Sequence, residues 1–436
     1  MGEGGMKLLI ASWGAFERWT ETKYRFGNVR LANKSTLPIL QRVIEPDWSV
    51  IVLPETLGVD FTSLEALRES IRGKVEEFLE EIGTGREVDV LIVPGIGSFS
   101  NGTFSGSALD TYHYVLYRLS QIIPPKGELE VHFDITHGLN YVTFLIHRAL
   151  RELLGIRALL NRTRFLAYNS DPFVPGITRE LGINVIEDVY VEPLPLSEPL
   201  PDLSNYLVPY SIEKKVLGEL KRKLKTFDII RDKKRKIDAW IGSVVFGLPL
   251  LFAENFPDGG AIEEAVEELL RTWEENVEVS EKRVERKLAL GTGFGTLVKL
   301  LFQVKVLEGL RPELPPSVDA LYELSNSLFR GSIRERVNVE LHKVEEKAAE
   351  YASSGQFPGW TLLREFYRFD EANASITPRN FFAHAGLEAN STEVRMEEWD
   401  VGDAIREARL HTFLRYSPDA KKEIEAMVSR ALGEGK

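Results

Sequence analysis

Through its first 190 or so residues the chain alternates short apolar runs with longer amphipathic stretches. The runs at residues 7–12, 49–53, 88–93, 130–135, 164–168 and 185–191 are rich in β-branched and aromatic residues and read as strands. Stretches near 63–82, 108–122 and 141–154 carry apolar residues at helical spacing. Runs such as VLIV, residues 90–93, are apolar without alternation, the pattern of a strand covered on both faces. Alternating β and α units of this kind predict a Rossmann-like, doubly wound and mostly parallel α/β sheet.

The pattern then changes. Pro193, Pro195, Pro199, Pro201 and Pro209 cannot sit inside helices or central strands, so residues 193–211 read as a linker. Beyond it the periodicity is helical, over 261–272, 281–307, 336–351, 362–374, 404–415 and 420–432, with no convincing strand between. The expected division is a sheet domain over 1–192, the linker, and an all-α domain over 212–436. A second proline-rich break at 310–317 leaves room for an inserted helical subdomain. The longest apolar stretch, within 239–253, is about 14 residues and falls short of the roughly 18–20 needed to span a bilayer. It reads as a buried core helix. With no targeting segment visible at the start, a soluble, cytoplasmic protein is expected.

Composition narrows the chemistry. The 436 residues contain no cysteine, which excludes disulfides, Cys-ligated metal and thiol catalysis. The formal net charge of −12 means that any contact with nucleic acid is made by a local patch or pocket. The basic run over 214–236 is such a patch or, on the blander reading, a solvated helix face.

In a doubly wound sheet ligands bind beyond the carboxyl ends of the strands, so the loops there hold the candidate residues. The first strand runs into Ser12, Trp13 and Gly14, where Trp13 either stacks on a base or fills the core. The third runs into a loop rich in glycine and hydroxyls, with Gly97 and Ser98 as candidates, but it lacks the Gly-Lys-Ser/Thr ending of a Walker loop. The fourth runs into DITHGLN, residues 134–140. Thr136, His137 and Asn140 can donate or accept hydrogen bonds there, Gly138 permits close backbone approach, and the following helix start favours an anion.

DITHGLN after a Rossmann-like strand, together with the SWG start, resembles the sensor domain of the CRISPR-associated CARF–HEPN ribonucleases of type III systems. The resemblance implies a cyclic oligoadenylate as allosteric activator, a single-stranded RNA substrate, a homodimer with a composite active site, and no metal or other cofactor. It also implies an Arg, a polar neighbour and a His four to six positions further along in the helical half. Arg379, Asn380 and His384 fit, as by spacing alone do Arg336 with His342 and Arg406 with His411. Context separates them. Arg336 and Arg406 lie in charge-crowded amphipathic stretches that read as solvated faces, and the residues after them are Val337 and Glu407. Arg379 follows Thr377-Pro378, a helix start, and His384 lies in the apolar stretch FFAHAG.

On a continuous helix positions five apart differ by about 140°, so Arg379 and His384 do not share a face. A second copy of the chain is the easier way to bring them together. His384 would transfer protons, Arg379 would hold the phosphate and Asn380 would orient either. The resemblance implies attack by the RNA 2′-hydroxyl and a 2′,3′-cyclic phosphate product, so DNA is not expected as a substrate. Two other readings stay open: a non-catalytic nucleotide-responsive regulator resembling a transcription factor, and a nucleotide-metabolising enzyme using Thr136, His137 or Asn140.

Overall fold

A computed structural model describes residues 5–174, 177–368, 375–399 and 404–434. It divides into two compact units, residues 1–194, 201–227 and 263–302 in the first, and 195–200, 228–262 and 303–436 in the second.

The first unit opens with β1 (Met6–Trp13), the hairpin β2 (Thr22–Phe26) and β3 (Val29–Asn33), and α1 (Leu37–Ile44). Then come β4 (Trp48–Pro54), α2 (Leu64–Ile82), β5 (Asp89–Val93), the short β6 (Gly97–Ser98) and β7 (Thr103–Ser105), and α3 (Ala108–Ile122). β8 (Leu129–His137), α4 (Asn140–Arg157), β9 (Thr163–Ser170) and β10 (Leu181–Tyr190) follow. Eight strands form one sheet in the order β3-β2-β10-β9-β8-β1-β4-β5. β9, β8, β1, β4 and β5 are mutually parallel, and β10 closes against β9 antiparallel.

Leu8, Leu9, Ile10 and Ala11 are consecutive and all 0% exposed, because both faces of the sheet are covered. The chain leaves β1 toward β4 and β5, then returns to place β8 on the other side of β1. That reversal opens a crevice at the carboxyl ends of β1 and β8. The α/β expectation holds. The hairpin β2–β3 and α1 were not anticipated, and the expected helices at 63–82 and 108–122 correspond to α2 and α3.

The later part of the chain is helical but not free of strands. It begins with β11 (Leu207–Pro209), α5 (Lys214–Lys223), α6 (Lys225–Phe246), α7 (Pro249–Glu254) and α8 (Gly259–Glu275). β12 (Val277–Ser280), β13 (Arg283–Arg286), β14 (Leu288–Leu290), α9 (Thr292–Leu307), α10 (Val318–Leu328) and α11 (Gly331–Ser353) come next. The last elements are β15 (Thr361–Leu362), α12 (Leu363–Tyr367), α13 (Pro378–Ala383), β16 (Thr392–Met396), α14 (Ala404–His411), β17 (Thr412–Tyr416) and α15 (Lys421–Glu434).

The helix expected over 281–307 is therefore corrected to two strands followed by α9. β13 pairs in parallel with β7, and the buried Arg286 guanidinium meets the buried Glu55 carboxylate at 2.6 Å. Such partners far away in sequence override a local helical pattern. The helix expected over 404–415 likewise ends at His411, where the chain becomes β17 and pairs with β16. That expected over 362–374 is α12 as far as Tyr367, and its residues 369–374 lie outside the described ones. The apolar run 239–253 is buried as expected but is two helices, since Gly247 at φ 67° turns α6 into α7. Among the described residues no helix is long and apolar enough to cross a membrane. The proline-rich segment does not coincide with the division into units, and its Leu196 and Leu200 are buried within the second.

Candidate functional site

Two regions gather the candidate side chains, one in each unit. In the first unit the centre is Asp134, near the end of β8 and 1% exposed. Its Oδ2 accepts from the Thr36 hydroxyl at 2.5 Å, and its Oδ1 accepts from the Thr136 amide at 3.0 Å and hydroxyl at 2.6 Å. The Thr136 oxygen in turn accepts from the Ser170 amide at 3.1 Å. A buried carboxylate is tolerated when donors surround it, and here those donors set the shape of the strand end. Sequence reasoning gave Asp134 no role, since Thr36 is contributed by a remote segment.

His137 stacks on Trp19 with ring centroids 4.1 Å apart, and its Nε2 lies 3.4 Å from the Tyr24 hydroxyl. Burial pushes its pKa below the ordinary histidine value, against the opposing pull of Asp134. The ring is therefore neutral at physiological pH and offers one donor and one acceptor. Burial, and then Asp134, push the Tyr24 phenol up to about 12, so it stays protonated.

Two recesses flank this strand end. One, of about 410 Å³, is lined by Arg18, Trp19, Tyr24, Lys34, Thr136 and His137, among others. The other, of about 560 Å³, is lined by Thr136, Gly138, Asn140, Thr143, Phe144 and His147, among others. Thr136 and Asn169 belong to both. The start of α4 at Asn140 has no side-chain cap and no acidic residue in its first turn, so its positive end faces the second recess uncompensated.

Gly138 is required by its surroundings. A Cβ there would meet Thr143 Oγ1 at 2.0 Å and Ser12 Oγ at 2.5 Å. Ser12 itself is 1% exposed and shares a 2.9 Å hydrogen bond with Thr143, so it braces the loop and does not line a recess. Trp13 is also corrected. It is 0% exposed, packed among Phe16, Trp19 and Phe78, and its ring is not available to a ligand. The indole at the recess is that of Trp19, from the segment after β1. Gly97 and Ser98 form β6 against β7 and line neither recess. Thr136, His137, Gly138 and Asn140 are thus brought together, and Ser12, Trp13, Gly97 and Ser98 are not.

In the second unit Thr377 caps α13 by accepting from the Asn380 amide at 3.3 Å, with Pro378 in the first turn as expected. The helix lasts only to Ala383. His384 is its C-cap, Ala385 adopts φ 52°, and Gly386 donates back to the Phe381 carbonyl at 2.8 Å. This is a Schellman closure. The rotation expected of a continuous helix therefore stops short of His384, whose ψ is 25°.

Asn380 and His384 line a recess of about 440 Å³ together with Glu340, Lys343 and Lys347 of α11 and Tyr367 of α12. His384 Nδ1 lies 3.2 Å from Glu340 Oε2, and Glu340 Oε1 is 2.7 Å from Lys343 Nζ. Burial, and then Glu340, hold the Tyr367 phenol well above its ordinary value. Arg379 is exposed, does not line this recess, and pairs with no carboxylate among the described residues.

The rival pairs are placed elsewhere. Arg336 is not on a solvated face as expected: it is half-buried and donates to the Phe246 carbonyl, and burial lowers its pKa. His342 meets Glu345 and Glu346 through its two nitrogens, at 3.2 and 3.3 Å. His411 pairs with Glu407 and stacks on Trp399. Among the described residues no group of three or more His, Asp or Glu is arranged to hold a metal ion. In the basic run, Lys234 is tied to Asp238 at 3.0 Å, while Lys233 and Lys236 border a small separate recess.

Comparison with known proteins places both regions. Residues 8–172 match the family model of the CARF domain of the CRISPR system endoribonuclease Csx1, and residues 331–402 match that of its HEPN domain. The first match contains β8 and the start of α4, and the second contains α11 and α13. The CRISPR system endoribonuclease Csx1 of Methanocaldococcus jannaschii is 31% identical in an alignment covering 96% of this chain and 92% of that protein.

Proposed function

This chain belongs to the Csx1 family of CRISPR endoribonucleases, and from that premise we propose that it cuts single-stranded RNA at His384 without a metal ion, when a cyclic oligoadenylate binds at the end of β8. The observation that carries the reading is the shared recess of Asn380 and His384, with a carboxylate of a neighbouring helix 3.2 Å from the imidazole Nδ1.

RNA brings its own nucleophile. A base takes the proton from the 2′-hydroxyl, the 2′-oxygen bonds to phosphorus, and the bond from phosphorus to the 5′-oxygen breaks as that oxygen receives a proton. His384 serves this proton traffic, because imidazole exchanges protons near neutrality. The products are a 2′,3′-cyclic phosphate and a 5′-hydroxyl.

The recess itself carries four carboxylates, Glu340, Glu346, Glu350 and Glu388, against two amines, Lys343 and Lys347. A phosphate there needs a further cation. Arg379, exposed and outside the recess, supplies it from a second copy of the chain, and this is the physical ground for a homodimer. In the sensor unit, Phe144 and Ile186 border the second recess at 66% and 55% exposure, an apolar rim suited to burial by the second copy. The activator's phosphates sit at the start of α4, and its bases lie in the two recesses. Binding favours the dimer arrangement in which both cutting recesses are complete.

The test is cleavage of a fluorescent single-stranded RNA in EDTA, with and without cyclic tetra- or hexa-adenylate, for wild type and His384→Ala. Stimulated cutting that drops at least about 1000-fold in the variant is expected. Equal cutting by both proteins would move the active site elsewhere. Silence from both would favour the regulator.

A further inference from the structure

We infer that Glu340 is a positioning residue for the RNA cut: it fixes the ring of His384 through Nδ1 so that Nε2 faces the substrate. The inference rests on His384 being the group that handles the proton, as proposed above. His384 stands at the closing turn of a six-residue helix, and 46% of its side chain is exposed. An imidazole so placed turns readily unless something holds it.

Glu340 is suited to hold it. It lies within α11, a helix of 23 residues, and only 12% of its side chain is exposed. One carboxylate oxygen faces His384 Nδ1 at 3.2 Å and the other faces Lys343 Nζ at 2.7 Å, one helical turn on. With both oxygens engaged, the carboxylate has little freedom to swing. A neutral imidazole bears a single N–H, and a carboxylate acceptor at Nδ1 draws it to that nitrogen. Nε2 then carries the lone pair that a 2′-hydroxyl proton requires.

The neighbouring histidines lack this arrangement. His342, on the same helix, has a carboxylate at each nitrogen and so no nitrogen left for RNA. His411 is held through Nε2 by Glu407. His384 Nε2 meets no protein polar group among the described residues.

The experiment uses the full chain saturated with activator and compares wild type, Glu340→Gln, Glu340→Asp and His384→Ala on the same RNA. Glu340→Gln is expected to lower kcat roughly 10- to 100-fold with KM changed less than about threefold, and Glu340→Asp to recover part of the loss. ¹⁵N-histidine NMR of the wild type should show His384 protonated at Nδ1, and Glu340→Gln should give a mixture of tautomers. A wild-type His384 protonated at Nε2 overturns the inference even if Glu340→Gln fails to fold. So does a Glu340→Gln protein with wild-type kcat, while His384→Ala is inactive. Full cutting by His384→Ala overturns the proposed site and this inference with it.

Discussion

At the end of β8 the polar groups are bonded to one another. Asp134 is buried among three donors from Thr36 and Thr136, and His137 is stacked and neutral. Around α13 the reverse holds. His384 is half-exposed on a single carboxylate, Arg379 is exposed and does not line the recess, and the lining charge is of the wrong sign for phosphate. The ordering at the end of β8 is completed by folding, so a ligand bound there would spend little of its binding energy on arranging the site. In the proposed reading the recess beside α13 is completed by a second chain, so whatever controls the pairing of two chains would also control the chemistry.

The contrast breaks most sharply at Trp13. Trp13→Ala should destabilise the first unit by about 3–5 kcal/mol, as expected for emptying an aromatic core, while His384→Ala shifts stability by less than about 1 kcal/mol. Urea unfolding measures both. If a well-folded Trp13→Phe protein loses activator binding, the indole is a ligand contact and the core assignment is wrong.

Gly138→Ala is the next test. Its methyl collides with Thr143 and Ser12, which should cost about 1–3 kcal/mol of local distortion and weaken activator binding about tenfold or more. Titration calorimetry reads the change. Adding Thr143→Ala should recover much of it, and wild-type affinity in the single variant would show that the loop tolerates a wider spacing.

The smallest effect is a pH slope. Burial lowers the His132 pKa to about 4 within the sheet, where the ring bonds to the Tyr168 hydroxyl at 2.8 Å. Because the folded value lies below the unfolded one, the stabilisation is present above about pH 6.5 and is lost as pH falls toward 4. His132→Gln should flatten the fall in stability across that window by about 1–2 kcal/mol. An unchanged slope in urea unfolding at pH 7 and 4.5 would place the acid sensitivity in other groups.

How much of this was legible in the sequence depends on how far each partner lies along the chain. The central strands are apolar throughout, and Ser63 and Ser107 cap α2 and α3 within their own segments, so local pattern sufficed. β13 reads RVER, where the charges at 283 and 286 are three apart and the run is too short for its period to separate strand from helix. Only its pairing with β7 decides, and that pairing is invisible locally. The sites divide the same way. His384 was found through a short motif, yet Glu340 comes from another helix. Asp134 lies inside DITHGLN, but its importance depends on Thr36. Trp13 and Trp19 flank one short turn and both pack against Phe16 and Phe78, so the short motif alone does not tell which indole is fully buried and which reaches the recess.

Thr136 and Asn169 line both recesses beside β8. The two hollows thus share a dividing wall and are not independent vessels. A small molecule filling one hollow loses its full translational freedom for the contacts of that side alone. A ring wide enough to straddle the wall makes its second set of contacts at the high effective concentration that a short tether confers, and two weak grips multiply into a firm one. On the proposed reading the wall would therefore act as a length gauge, favouring ligands long enough to reach both hollows over shorter fragments that offer the same individual contacts.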